Sequence, residues 1–161
     1  MKGLELRSNS FKNKQFIDKK FTCEGESISP DLLWLNVPQG VKSFALICED
    51  LDAPRTEPWV HWIIFNIPAN TTSLRENRSK GPNLQEYLGT DSPVQGINAF
   101  GTIGYGGPCP PAGKAHRYFF KLYALDEKLS LKSGATKEQL LAAMENHIIA
   151  TAELIGLYEL N

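Results

Sequence analysis

Three stretches of the chain carry enough apolar, β-prone residues to be strands. SFALICE (Ser43 to Glu49) is the first. VHWIIFNI (Val60 to Ile67) is apolar at successive positions, which predicts a central strand covered on both faces. RYFFKLYAL (Arg117 to Leu125) is the third. Turn signals punctuate the rest: Ser29-Pro30, Pro38-Gln39-Gly40, Ala53-Pro54, Ile67-Pro68, Gly81-Pro82 and Ser92-Pro93. Short β-prone runs between frequent turns predict a mainly β domain. One helix stands out, near Lys137 to Asn146. Thr136 and Gln139 form a capping-box pattern, and Leu140, Leu141, Met144 and Ile148 follow at helical spacing. The tail IATAELIGLYEL reads equally as an extension of that helix or as a last strand. Residues 71–96 are polar and predict a long surface connection, with the Lys and Arg residues of 75–80 in solvent.

Composition narrows the class. A chain of 161 residues, 42% hydrophobic and 22% charged, fits one globular domain spanning residues 1–161. The formal net charge of −1 gives no electrostatic case for a nucleic-acid partner. No apolar run approaches the roughly 20 residues of a membrane span. The N-terminal segment lacks the apolar core of a secretory signal, so the expectation is a cytoplasmic protein. Cys23, Cys48 and Cys109 are an odd count without C-x-x-C spacing, which argues against a disulfide framework and against a structural zinc site.

The candidate chemistry lies at strand ends. Residues i and i+2 share a strand face, so His116 and Tyr118 lie together and Arg117 points away, where it pairs with a carboxylate or loop carbonyls. The same rule puts His61 with Ile63 and Phe65, opposite Trp62. Asp50 and Asp52 close the first strand. If the strand ends meet, Asp50, His61, His116 and Tyr118 converge beside GYGGPCPP, residues 104–111. A protonated imidazole and a phenol donate to phosphate or carboxylate oxygens, and a neighbouring carboxylate favours the imidazolium. Glycines admit a close ligand, and prolines stiffen the wall. Taken singly, each histidine reads as well as a hydrogen-bonded structural residue, and Trp34, Trp59 and Trp62 as core or wall. No phosphate-binding P-loop is present.

DLDAP, WVHW, GYGGPCPP and HRYFFKLYAL, in this order, resemble the signature blocks of the phosphatidylethanolamine-binding protein family. The nearer resemblance is to its bacterial, Raf-kinase-inhibitor-like branch. The resemblance covers most of the chain. It implies two antiparallel sheets in a Greek-key-like β-sandwich, few peripheral helices and a small anion pocket. Carried over by residue, that pocket comprises Asp50, Ala53, Pro54, Trp59, His61, Gly107, Pro108, His116 and Tyr118. It also implies a cis peptide bond before Pro58. The chain departs from the common pattern at Leu51 and Asp31, where many members have proline.

The expected function is a non-catalytic module that binds phosphate, a phosphoryl head group or a carboxylate, with no cofactor and with regulation of a protein partner as a further role. A homodimer is left open. Three alternatives remain: a kinase or protease inhibitor acting through a surface loop, a hydrolase with Cys109 as nucleophile and His116 as base, and a metal site of His61, His116 and Asp50.

Overall fold

The apolar runs pair into two sheets that share one core. The computed structural model describes residues 2–82 and 92–160. In chain order these form β1 (Glu5–Arg7), β2 (Gln15–Phe16), β3 (Leu32–Leu35), β4 (Ser43–Asp50), β5 (Trp59–Pro68), β6 (Ser73–Leu74), β7 (Val94–Gln95), β8 (His116–Leu125), α1 (Lys137–Met144) and β9 (Ile148–Tyr158). A three-stranded sheet runs β1-β3-β6 and a six-stranded sheet runs β2-β9-β8-β4-β5-β7. Every pair is antiparallel except β2 with β9, where Gln15 and Phe16 run parallel to Gly156 and Leu157.

Strand β4 lies between β5 and β8 and is buried along its whole length. One face of the large sheet, with Phe44, Leu46, Cys48, Trp62, Ile64, Phe120 and Leu122, packs on Leu6, Leu32, Trp34 and Leu74 of the small sheet. The other face, with Ala45, Ile47, Ile63 and Phe65, packs on Leu129, Leu140 and Met144. This is why β4 and β5 read as continuous apolar runs: each is covered on both faces. Glu49 also lies on that second face, 2% exposed. A carboxylate buried this far needs charged partners. Lys121 Nζ supplies one at 2.9 Å and Lys137 Nζ another, which fixes the start of α1 to the sheet.

The capping box at Thr136 and Gln139 forms as the sequence predicts. The helix ends at Met144 rather than Asn146, and Asn146 takes a left-handed φ of 69°. Only Leu140 and Met144 of the predicted apolar face are buried; Leu141 is exposed, and Ile148 is exposed at the start of β9. The ambiguous tail is this strand. It pairs with β8 from Ile148 to Tyr158, so the partner strand decides what local propensity left even.

The polar stretch 71–96 is not all surface connection. Residues 83–91 lie outside the described part. Within the rest, Ser73–Leu74 and Val94–Gln95 add short edge strands, and Arg78 is buried. Gln95, fully buried, accepts from Trp62 Nε1 at 2.8 Å and donates to the carbonyls of Ser79 and Gly81 at 2.9 and 3.0 Å. Among the described residues, no helix is long and apolar enough to cross a membrane.

Candidate functional site

The ends of β4, β5 and β8 bring four polar side chains together. Asp50 stands opposite both Trp59 on β5 and Tyr118 on β8. His116 and Tyr118 share a strand face, as the two-residue spacing requires. His61 reaches the same face by a different route. The register passes from Glu49–Val60 directly to Cys48–Trp62, leaving His61 as the extra residue of a β-bulge. Simple alternation placed His61 with Ile63 and Phe65; the bulge instead sets its ring against Tyr118, 5.2 Å between centroids and at 81°. Trp62 packs edge-on to Tyr105 in the core, and Ile63 and Phe65 face the helix side.

The cavity that results has a volume of about 220 Å³. It is lined by Asp50, Ala53, Pro54, Trp59, His61, His116 and Tyr118, all expected from the sequence, and by Arg55, Phe100, Cys109, Pro110 and Pro111. Gly107 and Pro108 do not line it. They stand behind the wall and fasten it. The Gly107 N–H donates to Ser27 Oγ at 2.9 Å, and the Pro108 carbonyl accepts from the Cys23 N–H at 3.1 Å. A Cβ on Gly107 would stand 2.6 Å from the Phe21 carbonyl oxygen, so only glycine lets the segments approach this closely.

Each side chain has a defined bonding state. His116 Nδ1 lies 2.7 Å from Asp50 Oδ2, with both side chains buried. Asp50 Oδ1 accepts from the Asp52 N–H at 2.8 Å, so the carboxylate orients the ring and also holds the turn. Asp52 in turn receives the Arg117 backbone N–H and Nε on Oδ2 and Nη2 on Oδ1, each at 2.9 Å. The Arg117 hydrogen bond, the largest cause, holds the Asp52 carboxyl below its ordinary range. Thus Arg117 serves the turn from the opposite face, and the turn is closed without a proline at Leu51.

His61 Nδ1 lies 2.6 Å from the Gly106 carbonyl oxygen. A carbonyl can only accept, so Nδ1 carries the hydrogen. Burial lowers the His61 pKa, against the opposing pull of the Gly106 carbonyl and the Asp50 carboxylate. The Tyr118 hydroxyl is buried and, among the described residues, has no hydrogen-bond partner. Burial, and then the Asp50 carboxylate, push its pKa far up, so it stays a donor. Arg55 stacks on Trp59, 4.3 Å from guanidinium carbon to ring centroid, and stands at the cavity wall as its permanent cation.

Phe100 is the largest feature that the sequence reading missed. Its ring meets His61 at 5.4 Å and Trp59 at 5.6 Å, both edge-on, and is 47% exposed. Asn98 builds the turn that presents it: Oδ1 accepts from the Phe100 and Thr102 N–H groups, and Nδ2 donates to the Gly104 carbonyl. The available signal was an aromatic residue in an Asn- and Gly-bounded turn, NAFG, just ahead of the Gly-Pro loop.

Two expectations are overturned. Cys23 and Cys109 form a disulfide across 86 residues of sequence, so Cys109 is no free thiolate and the Cys109/His116 hydrolase is excluded in this form. Spacing gave no hint, because the bridge depends on the loop 104–111 crossing the segment 21–27. Cys48 is a free thiol buried in the core, with its pKa raised by burial. The Glu57–Pro58 peptide is trans. Pro58 lines the neighbouring outer groove rather than the cavity and precedes β5, where extended trans geometry suffices. As for a metal, no cluster of three or more ligating side chains occurs among the described residues, and Asp50 Oδ2 is bonded to His116.

A model of the phosphatidylethanolamine-binding protein family matches residues 7–159. The chain belongs to that family. Over 155 residues it is 51% identical to a UPF0098 protein of Methanothermobacter thermautotrophicus, spanning 96% of this chain and 98% of that one. A UPF0098 protein of Aquifex aeolicus is 46% identical over 97% of this chain and 88% of its own length. Among solved structures, YbcL of E. coli, described as a member of the mammalian PEBP family, superposes with a TM-score of 0.90 at 36% identity, covering 99% of this chain and 100% of that one. The PEBP homologue CT736 of Chlamydia trachomatis gives 0.88 at 44% identity, with both chains fully covered. The mainly β, two-sheet fold is therefore the fold of this family, and membership supports a ligand-binding module.

Proposed function

We propose that this chain is a non-catalytic module that binds a small anion, inorganic phosphate or a phosphoryl head group, in the cavity between the ends of β4, β5 and β8. The observation that carries the reading is the Tyr118 hydroxyl, a buried donor without a partner in a cavity wall. Leaving such a group unpaired costs about 1–3 kcal/mol, so the position makes physical sense once an acceptor arrives. His116, its Nδ1 donating to Asp50, adds a second donor through Nε2 in its doubly protonated form. Arg55 adds positive charge at the wall, which offsets the Asp50 carboxylate. Around them, Trp59, Phe100 and the prolines exclude water and strengthen each polar contact. Regulation of a protein partner would act through the exposed rim of Phe100 and Arg55, whose positions depend on the same wall.

Titration calorimetry of inorganic phosphate against the wild type and Asp50→Ala tests this reading. The variant should bind more weakly by about 1.5–3 kcal/mol, because His116 loses the group that orients it. Equal affinities would place the binding site elsewhere.

A further inference from the structure

Resting on the anion-binding reading, we propose that the cavity selects oxyanions that still carry a proton, such as hydrogen phosphate, over fully deprotonated ones such as sulfate, because His61 presents a bare ring nitrogen to the ligand. The argument starts from the backbone. His61 is the extra residue of the β5 bulge, and its carbonyl accepts from the Gly106 N–H at 2.9 Å. The Gly106 carbonyl returns the contact to His61 Nδ1 at 2.6 Å. This pair commits the Nδ1 hydrogen to the backbone. Nε2 is the one ring nitrogen left for a ligand, and in the neutral ring it is an acceptor.

The surroundings keep the ring neutral. Phe100 and Tyr118 meet it edge-on, as apolar and uncharged neighbours. The charged or titratable groups in the cavity wall are Asp50 from β4, His116 and Tyr118 from β8, and Arg55 from the turn before β5. The Gly106 carbonyl, the Asp50 carboxylate and the Gly107 backbone favour an imidazolium at His61, and the Asp50 oxygens are already bonded to His116 and to the Asp52 N–H. Burial outweighs them, and the His61 pKa falls below the ordinary value. The ligand must therefore meet a donor at Tyr118 and an acceptor at His61. A hydrogen phosphate dianion satisfies both, because its own P–O–H donates to Nε2. A sulfate dianion has the same charge and shape but no proton. It either leaves Nε2 facing a lone pair or draws a proton from solvent onto a ring that resists it.

Calorimetry of the wild-type protein with inorganic phosphate and with sulfate at pH 7.5 isolates that proton. Phosphate should bind about tenfold or more tightly, the worth of one buried hydrogen bond. Sulfate affinity should rise as the pH is lowered, with proton uptake visible in buffers of different ionisation heat. Phosphoethanolamine should weaken above about pH 6, where a phosphomonoester loses its last proton. His61→Phe should lower phosphate affinity to the level of sulfate. If that variant does not fold, imidazole nitrogen chemical shifts of the wild type report the same point: His61 Nε2 should be unprotonated at pH 7.5. Equal affinity for phosphate and sulfate at this pH, or a protonated Nε2, would overturn the inference and leave anion binding standing. Binding of neither anion would remove the anion-binding reading and this inference with it.

Discussion

His61 and Gly106 hold each other twice, once through backbone and once through side chain. The Gly106 N–H donates to the His61 carbonyl at 2.9 Å, and His61 Nδ1 donates to the Gly106 carbonyl at 2.6 Å. The bulge in β5 and the glycine-rich loop are thus one unit, and that unit decides which ring nitrogen the cavity sees.

A side chain at Gly106 should separate affinity from stability. A Cβ there would stand 2.6 Å from Phe100 Cδ2. The half-exposed Phe100 ring can swing outward, so Gly106→Ala should destabilise the fold by no more than about 1 kcal/mol. It should nonetheless remove the ring that shields His61 and weaken phosphate binding several-fold. Urea unfolding and calorimetry on one preparation check this. A variant that loses about 3 kcal/mol of stability while binding normally would show that Phe100 is a core residue and not a cavity wall.

His61 should make stability depend on pH. Its folded-state pKa is depressed by burial, so the unfolded chain takes up a proton first. The His61 contribution is fully present above the ordinary imidazole value of 6.5 and is lost as the pH falls through the lower folded value. Between pH 7.5 and pH 5, the wild type should lose more stability than His61→Gln, a difference read from urea midpoints at each pH. Parallel losses would mean that the ring is not held neutral.

Much of the site was legible because strand periodicity is a strong constraint. Asp50, His116 and Tyr118 need only regular strands to converge, and Arg117 on the opposite face found its carboxylate in Asp52. The capping box at Thr136 was likewise a local signal. Other features came from distant parts of the chain. The bulge at His61 reversed its face, and no local pattern marks a bulge between apolar residues. Phe100 and Arg55 line the cavity through loops whose paths depend on Asn98 and on the Asp50–Asp52 turn. The Cys23–Cys109 bridge required knowing that the loop 104–111 crosses the segment 21–27. A partner strand also settled the tail as β9, where propensity was balanced.

That bridge should contribute strongly to stability and to the wall. It closes a long loop, 86 residues in sequence, and both cysteines are exposed to reductant. In the chain-entropy account a closure of this length stabilises by about 2–5 kcal/mol. Tyr105 Oη still bonds the Phe21 carbonyl at 2.7 Å, and Gly107 still bonds Ser27, so reduction should loosen the cavity wall from Cys109 onward without undoing the crossing. Urea unfolding with and without dithiothreitol should show the loss, with faster amide exchange confined to residues 109–115. Unchanged stability in protein shown to be reduced would contradict this. A persistent exposed disulfide would also favour an oxidising compartment over the cytoplasm expected from the N-terminal segment.

The most direct measurement of the central claim is phosphate binding by Tyr118→Phe. The substitution removes one oxygen from a buried ring and leaves no protein group unpaired, since the hydroxyl has no partner among the described residues. Removing an unpaired buried hydroxyl should leave stability unchanged or raise it slightly. If the hydroxyl exists for a ligand, calorimetry at pH 7.5 should show phosphate affinity falling by about 1.5–3 kcal/mol, the worth of a hydrogen bond to a charged group. A variant that is as stable as the wild type but binds phosphate about tenfold or more weakly is the predicted result. A variant that binds phosphate as the wild type does would contradict the account, because the buried Tyr118 donor in the cavity wall would then have no part in the site.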